Sequence, residues 1–310
     1  MKTIEETSEL LYKALWESKT KEDDVISIIL SNDCDHREAI KKYYSVVHPE
    51  NGGLLEDIKK KLGGDFKDTV FALFLSPVEY DCYEIKRAVK GFSTDEECVY
   101  EIISNRPHWM LQEIKAKYKE MYEKELEKDL EKNFSGVIGR NLLILLNTER
   151  SKNKNPDHKK CQEDAKVLYN NKEEEWANNE TIFTNIFAKS SPEELVLTFR
   201  YFFKKTGMNI VKTIETKLSS KLKLFFRELV FCVINPPEIF AEKARKAISG
   251  LGTDTNLLER VIITRYMLDM KYIKEYYKDK YNVEIEKDVI GDTSGAYKKL
   301  LLALIAQKTS

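Results

Sequence analysis

The sequence predicts an all-α chain built from four repeats, and three observations carry the prediction. One helix-start pattern recurs four times, with reference residues Glu22, Asp95, Asn179 and Asp254 at intervals of 73, 84 and 75 residues. Behind each start, apolar residues fall at three- and four-residue spacing, the period of an amphipathic helix. No segment alternates apolar and polar residues between the turn signals of a β-hairpin.

In chain order, repeat one occupies residues 7–77 and contains the start Lys21-Glu22-Asp23-Asp24 before Val25, Ile26, Ile28 and Ile29. Repeat two occupies 78–148. Its start Thr94-Asp95-Glu96-Glu97 leads into Cys98, Val99, Ile102 and Ile103, and Leu111, Ile114, Tyr118, Met121, Leu126 and Leu130 then form an apolar stripe on a charged helix. Residues 149–161 lengthen the middle interval and have linker composition, with Asn153, Asn155, Pro156 and Asp157. Repeat three, 162–235, starts at Asn178-Asn179-Glu180-Thr181. Repeat four, 236–310, starts at Thr253-Asp254-Thr255-Asn256 and closes on a stripe of Tyr297, Leu300, Leu301, Leu304 and Ile305. The charge runs Lys115–Lys132 and Asp269–Lys280 read as solvated helix faces.

Composition narrows the function. Lys+Arg number 51 and Asp+Glu 52, so no basic field points to nucleic acid. No apolar run approaches the roughly 20 residues needed to span a bilayer. Met1 to Ser8 is polar and acidic, unlike a signal peptide. The five cysteines include no CxxC pair and suit reduced thiols in a cytosolic protein, with Cys82 and Cys98 packed in the core. The four histidines share no metal-ligand spacing and read as surface residues. Asp33-Cys34-Asp35-His36-Arg37-Glu38 fails as an EF-hand, because Arg37 and Glu38 replace an oxygen ligand and the turn glycine. Trp16 and Trp109 lie next to apolar helix positions and read as core or groove packing.

The stretch with chemistry in it is Ile248-Ser249-Gly250-Leu251-Gly252-Thr253-Asp254, followed by Asp292 thirty-eight residues after Asp254. Two glycines let the backbone fold tightly and turn carbonyls outward. Three carbonyls and a bidentate carboxylate supply five oxygens, whereas Ca2+ takes about 6–8, which leaves room for water or a ligand's phosphate. Taken alone, such a turn is only a helix cap; here the pattern around it recurs.

At this point the sequence resembles the annexin family over nearly its whole length. Gly250-Leu251-Gly252-Thr253-Asp254 and Gly291-Asp292-Thr293-Ser294-Gly295 look like the two halves of an annexin calcium site, and Tyr80–Gly91 resembles the family's first-to-second repeat junction. The resemblance implies a curved disc of four five-helix repeats, with calcium loops on the convex face. It implies a calcium site at the carbonyls of Ile248, Gly250 and Gly252 and the carboxylate of Asp292. In repeat two it implies a weak site at Val89, Gly91, Ser93 and Asn133, where Ser93 replaces a glycine and Asn133 the acid. In repeat one the glycine positions hold Ser18 and Thr20 and the acid position Lys61. In repeat three the loop is Glu175-Trp176-Ala177-Asn178, with Lys217 at the acid position. An ammonium repels the ion, so both sites read as lost. Lys61 and Lys217 then either point to water or contact lipid phosphate directly, and Trp176, among polar neighbours, either enters the membrane interface or packs under its loop. Asp81, Glu84, Glu101, Arg106 and Arg265 match family positions lining a hydrophilic passage between the two halves; their charges read as a salt-bridge network fixing how the halves dock.

The expected function is calcium-dependent, peripheral binding to anionic phospholipid membranes from the cytoplasm, with Ca2+ as cofactor. No nucleophile elbow, Walker loop or histidine-containing metal cluster marks an enzyme. The alternative is a calcium-independent scaffold on membrane or cytoskeleton, since the irregular loops also resemble the giardins, divergent protozoan annexins.

Overall fold

The computed structural model describes residues 2–17, 20–91, 93–250 and 252–307. Among them every regular element is a helix. Residues 1–80 and 237–310 cluster as one compact unit and 81–236 as a second.

The first unit holds α1 (Ile4–Trp16), α2 (Glu22–Leu30), α3 (Cys34–Val47), α4 (Leu54–Lys61) and α5 (Gly64–Leu73) from repeat one. From repeat four it holds α17 (Pro236–Ile248), α18 (Thr255–Arg265), α19 (Met270–Tyr281), α20 (Ile285–Asp292) and α21 (Gly295–Ile305). Between them run α6 (Pro77–Ala88), α7 (Glu96–Asn105), α8 (His108–Tyr122), α9 (Leu126–Asn133) and α10 (Gly136–Asn147). Repeat three follows as α11 (His158–Asn170), α12 (Glu175–Asn178), α13 (Glu180–Ile182) continuing into a π-helical turn over Phe183–Ala188, α14 (Pro192–Thr206), α15 (Ile210–Lys217) and α16 (Ser220–Ile234).

Local chemistry sets these boundaries. Thr3 and Glu6 form a reciprocal capping box on α1, and Ser191 and Glu194 another on α14, where Pro192 opens the helix and Gly207 at φ +70° ends it. Three of the four recurring starts carry side-chain caps: Asp95 accepts from Cys98 N, Asp254 from Leu257 N, and Asn179 from Thr181 N and Ile182 N. Lys21 has no side-chain cap. In the stretch read as linker, α11 already begins at His158, capped by Asp157. Arg150 and Ser151 tie that stretch to the backbone of Ser190 and Lys189.

The predicted stripes face the core, apart from Met121, which lies 36% exposed near the end of α8. Tyr297, Leu300, Leu301, Leu304 and Ile305 are all buried, as are Cys82 and Cys98. Trp16 is half-buried and donates from its indole to Asp57, whereas Trp109 is 61% exposed and lines a groove rather than entering the core.

A polar pin repeats with the helices. Asp57, Asp129 and Asp288 each accept a hydrogen bond from a buried tyrosine of the preceding helix: Tyr44 at 2.7 Å, Tyr118 at 2.7 Å and Tyr277 at 2.5 Å. Each is also bonded by the first helix of its repeat, through Trp16, Lys86 and Arg245. Repeat three has Thr213 and Phe202 at the corresponding places. Phe202 packs edge-on to Trp176 at 5.8 Å, within a cluster of Phe183, Phe187, Phe225 and Phe226. Where three repeats use a hydrogen-bonded carboxylate, the third uses aromatic area.

Candidate calcium loop

In repeat four the pin sets the geometry of the site. Asp288 is held by Arg245 of α17 and Tyr277 of α19. Asp292 lies four residues on, on the same face of α20, and so meets the turn that follows α17. Thr253 confirms the meeting: its hydroxyl bonds the Asp292 carboxylate at 2.5 Å and the Asp292 carbonyl at 3.0 Å. The turn is closed by Asp254 N donating to Ala247 O at 2.8 Å. Gly252 has φ +87°, a conformation open to glycine at little cost, whereas Gly250 does not lie at positive φ. A Cβ on Gly250 would meet only Gly252 O, at an ordinary 3.5 Å. Of the two glycines the motif weighs alike, Gly252 is the one the backbone demands. Leu251 lies outside the described residues. Ile248 buries its side chain, and Gly250 and Gly252 are exposed.

The same seven-residue closure recurs elsewhere. Asp95 N bonds Ala88 O at 3.0 Å and Lys21 N bonds Ala14 O at 3.0 Å. In repeat one Thr20 reaches the Lys61 carbonyl at 3.4 Å, so it is the counterpart of Thr253 and not, as the sequence register has it, of a glycine. Ser18 lies outside the described residues. The closures match, but the ligand positions differ. In repeat two the positive φ, +136°, falls on Gly91, while Ser93, where Gly252 has its counterpart, is not at positive φ. Phe92 lies outside the described residues. Asn133 turns its amide back on its own helix, donating to Asp129 O at 2.7 Å.

Cations belonging to the chain stand at the loops of repeats one and three. The Lys61 ammonium stands 3.6 Å from the centroid of the Trp16 ring, a cation–π contact that already engages its charge. Lys61, a candidate for lipid contact in the sequence, thus rests on Trp16 in this structure. In repeat three the loop is the short helix α12, and an arginine missed in the sequence holds it. Arg140 donates to Ala177 O at 2.8 Å and Asn178 O at 2.9 Å, with Asn141 adding a bond to Ala177 O at 3.2 Å. Lys217 is exposed at the end of α15.

Of the two readings of Trp176, packing under the loop holds and membrane contact does not. Its side chain is fully buried, donates from Nε1 to Leu168 O at 3.0 Å, and packs against Phe187, Phe202 and Phe226. The polar neighbours in sequence misled because α12 is a single turn, which sends Trp176 and Ala177 inward between exposed residues.

Four of the five charges assigned to a passage form tight pairs. Arg106 makes a bidentate bond to buried Asp81, at 2.6 and 2.7 Å, and Arg87 bonds Glu84 at 2.7 Å. Burial works against the charge on Arg106, and the Asp81 carboxylate overrides it, raising the guanidinium's pKa. Arg265, in the other unit, bonds Asp269 and lays its guanidinium 4.3 Å from the Phe240 centroid.

The donors at the repeat-four loop fit a hard divalent cation such as calcium: the backbone oxygens of a turn held by Gly252, one carboxylate beside it, and no sulfur or imidazole. Among the described residues no three acidic, histidine or cysteine side chains converge on a metal-sized site, so any such site here must be built largely from carbonyls.

Comparisons with known proteins agree with this architecture. A family model described as Annexin matches residues 6–73, 80–145 and 239–304. Annexin A13 of Homo sapiens is 32% identical over 302 residues, covering 97% of this chain and 95% of that protein. Annexin A11 of Homo sapiens is 33% identical over 297 residues, which are 96% of this chain; the chain spans 58% of the length of that relative. A solved structure of annexin III matches with a TM-score of 0.92 at 29% identity, over 99% of this chain and 94% of that one.

Proposed function

The chain belongs to the annexin family, and on that premise we propose that it binds anionic phospholipid membranes peripherally through one principal calcium site, the repeat-four loop. The family generally binds phospholipid in a calcium-dependent way and is generally non-enzymatic. The observation that carries the proposal is the pairing of the Gly252 turn with the Asp292 carboxylate, joined by Thr253. The carbonyls of Ile248, Gly250 and Gly252 and the carboxylate of Asp292 would hold the ion. When bound, calcium supplies a positive charge with coordination positions left for a phosphate oxygen. The protein's part is to hold the oxygens: Asp254 closes the turn, Thr253 orients Asp292, and Asp288 fixes α20 against α17 and α19. The Val89, Gly91, Ser93 and Asn133 set contributes little, because Ser93 lacks the backbone turn of Gly252 and Asn133 brings no charge. No helix among the described residues is long and apolar enough to cross a membrane.

Cosedimentation with anionic vesicles tests this: binding with calcium and release by chelator support it, and equal binding under both conditions refutes it. One observation favours a second reading, calcium-independent attachment to membrane or cytoskeleton. Lys61 and Arg140 place cations belonging to the chain at the loop regions of repeats one and three, where a metal ion would otherwise bring the positive charge. Retention on vesicles or filaments in chelator would support that reading.

A further inference from the structure

A cavity of about 410 Å3 lies within the unit of residues 81–236, against the stretch that joins repeats two and three. That volume falls in the range of small-molecule sites. Ile103, Leu111, Leu145 and Val233 give it apolar walls, and Trp109, 61% exposed, also lines it. None of the residues proposed to hold calcium takes part.

The charges along the lining do not cancel. Arg106 is spent on Asp81, and Lys152 pairs with Glu149 at 2.7 Å. Arg150 differs from both. It is half-buried, its one hydrogen bond runs from Nη1 to Ser190 O at 3.0 Å, and among the described residues no carboxylate pairs with it. Burial pulls its pKa below the ordinary value, and the Cys232 side chain opposes this only in part. A cation held out of water without a counter-charge costs free energy, which an anion would offset. Lys154 adds a second cation and Glu193 one carboxylate, neither in an ion pair among the described residues, so the lining carries about one net positive charge. The first turn of α8, which has no side-chain cap, lines the same cavity, and an uncapped helix start favours an anion. A phosphate monoester carries about 1.5 to 2 negative charges, more than this lining balances. A carboxylate carries one and matches the planar fork of a guanidinium.

We propose that this cavity binds a small apolar monocarboxylate, its carboxylate taken by Arg150 and its apolar body laid against Trp109 and the aliphatic walls. Both an aryl acid and a short fatty acid carry that chemistry. The site is separate from the calcium loop and works without the ion.

The test is calorimetry on the full chain with 1-naphthaleneacetate and with octanoate, each beside its neutral amide of the same shape. The acid should bind about tenfold tighter than its amide, the value of one charged hydrogen bond, and equally in calcium and in chelator. Arg150→Met should abolish that preference while the amide still binds. Arg150→Lys should restore part of it, since the charge returns without the fork. Trp109→Ala, at an exposed position, should weaken naphthaleneacetate by about 2- to 10-fold. Thermal melting identifies the variants that fold, and the comparison of acid with amide on the wild type decides the matter without any variant. Binding of naphthaleneacetate alone supports the inference with an aryl acid as ligand, and binding of octanoate alone supports it with a fatty acid. Equal affinity for acid and amide overturns it, as does failure of both acids to bind, or a preference unchanged in folded Arg150→Met protein. Stronger displacement by inorganic phosphate than by acetate would overturn the choice of a monocarboxylate.

Discussion

Replacing Asp292 by Asn isolates the charge of the calcium loop. The carboxamide keeps the size of the side chain and an oxygen for the Thr253 hydroxyl, which also retains its bond to the Asp292 backbone carbonyl at 3.0 Å. The fold should therefore persist, since Asp288, not Asp292, pins α20 to Arg245 and Tyr277. What is lost is one negative charge about 2.4 Å from a divalent ion. At the dielectric constant of water that attraction is about 3.5 kcal/mol, and the retained amide oxygen restores part of it. A net loss of about 2–3 kcal/mol raises the calcium needed for half-maximal vesicle binding by about 30- to 150-fold. The assay is vesicle cosedimentation across a calcium titration, with thermal melting as the control for folding. Asn133→Ala, at the corresponding place in repeat two, should move the curve by less than about threefold, because Asn133 already spends its amide on Asp129. A calcium curve unchanged by Asp292→Asn, with melting also unchanged, would refute the assignment of the site.

Trp176, fully buried, should emit at a short wavelength in the free protein, and calcium with vesicles should leave its maximum in place when Trp16 and Trp109 are changed to Phe; a blue shift on binding would contradict its packing. Trp176→Ala should cost about 3–5 kcal/mol in urea unfolding, and a loss below 1 kcal/mol would place the ring outside the core. Arg140→Ala leaves the carbonyls of Ala177 and Asn178 with fewer partners and should speed amide exchange around α12 at a cost of about 1–3 kcal/mol; unchanged exchange there would count against the latch. Burial pushes the Asp129 pKa up, but the Lys86 and Tyr118 hydrogen bonds prevail and hold it below its ordinary 3.8. The stability it supplies is then complete above that value and lost as pH falls through the lower folded value. Asp129→Asn should therefore destabilise the protein at neutral pH, by a margin that narrows below about pH 4; a margin independent of pH would refute the linkage.

Local signals made the helices legible, because their period and caps are written in neighbouring residues: Asp95, Asn179 and Asp254 cap the helices they precede, and the stripe from Tyr297 to Ile305 is buried as its spacing implies. The motif and its family resemblance likewise named Asp292 as the partner of the glycine turn, and the structure brings them together because one helical turn carries Asp292 from the pinned Asp288. Sequence alone did not distinguish Gly250 from Gly252, because a motif records residue types and not φ. Nor did it show that Trp176 faces inward, that Lys61 rests on Trp16, or that Arg140 holds the third loop. Each of those facts joins groups brought near by packing from separate helices or loops. Such encounters depend on how whole helices dock, which is set by the summed shape of their buried faces rather than by any one segment.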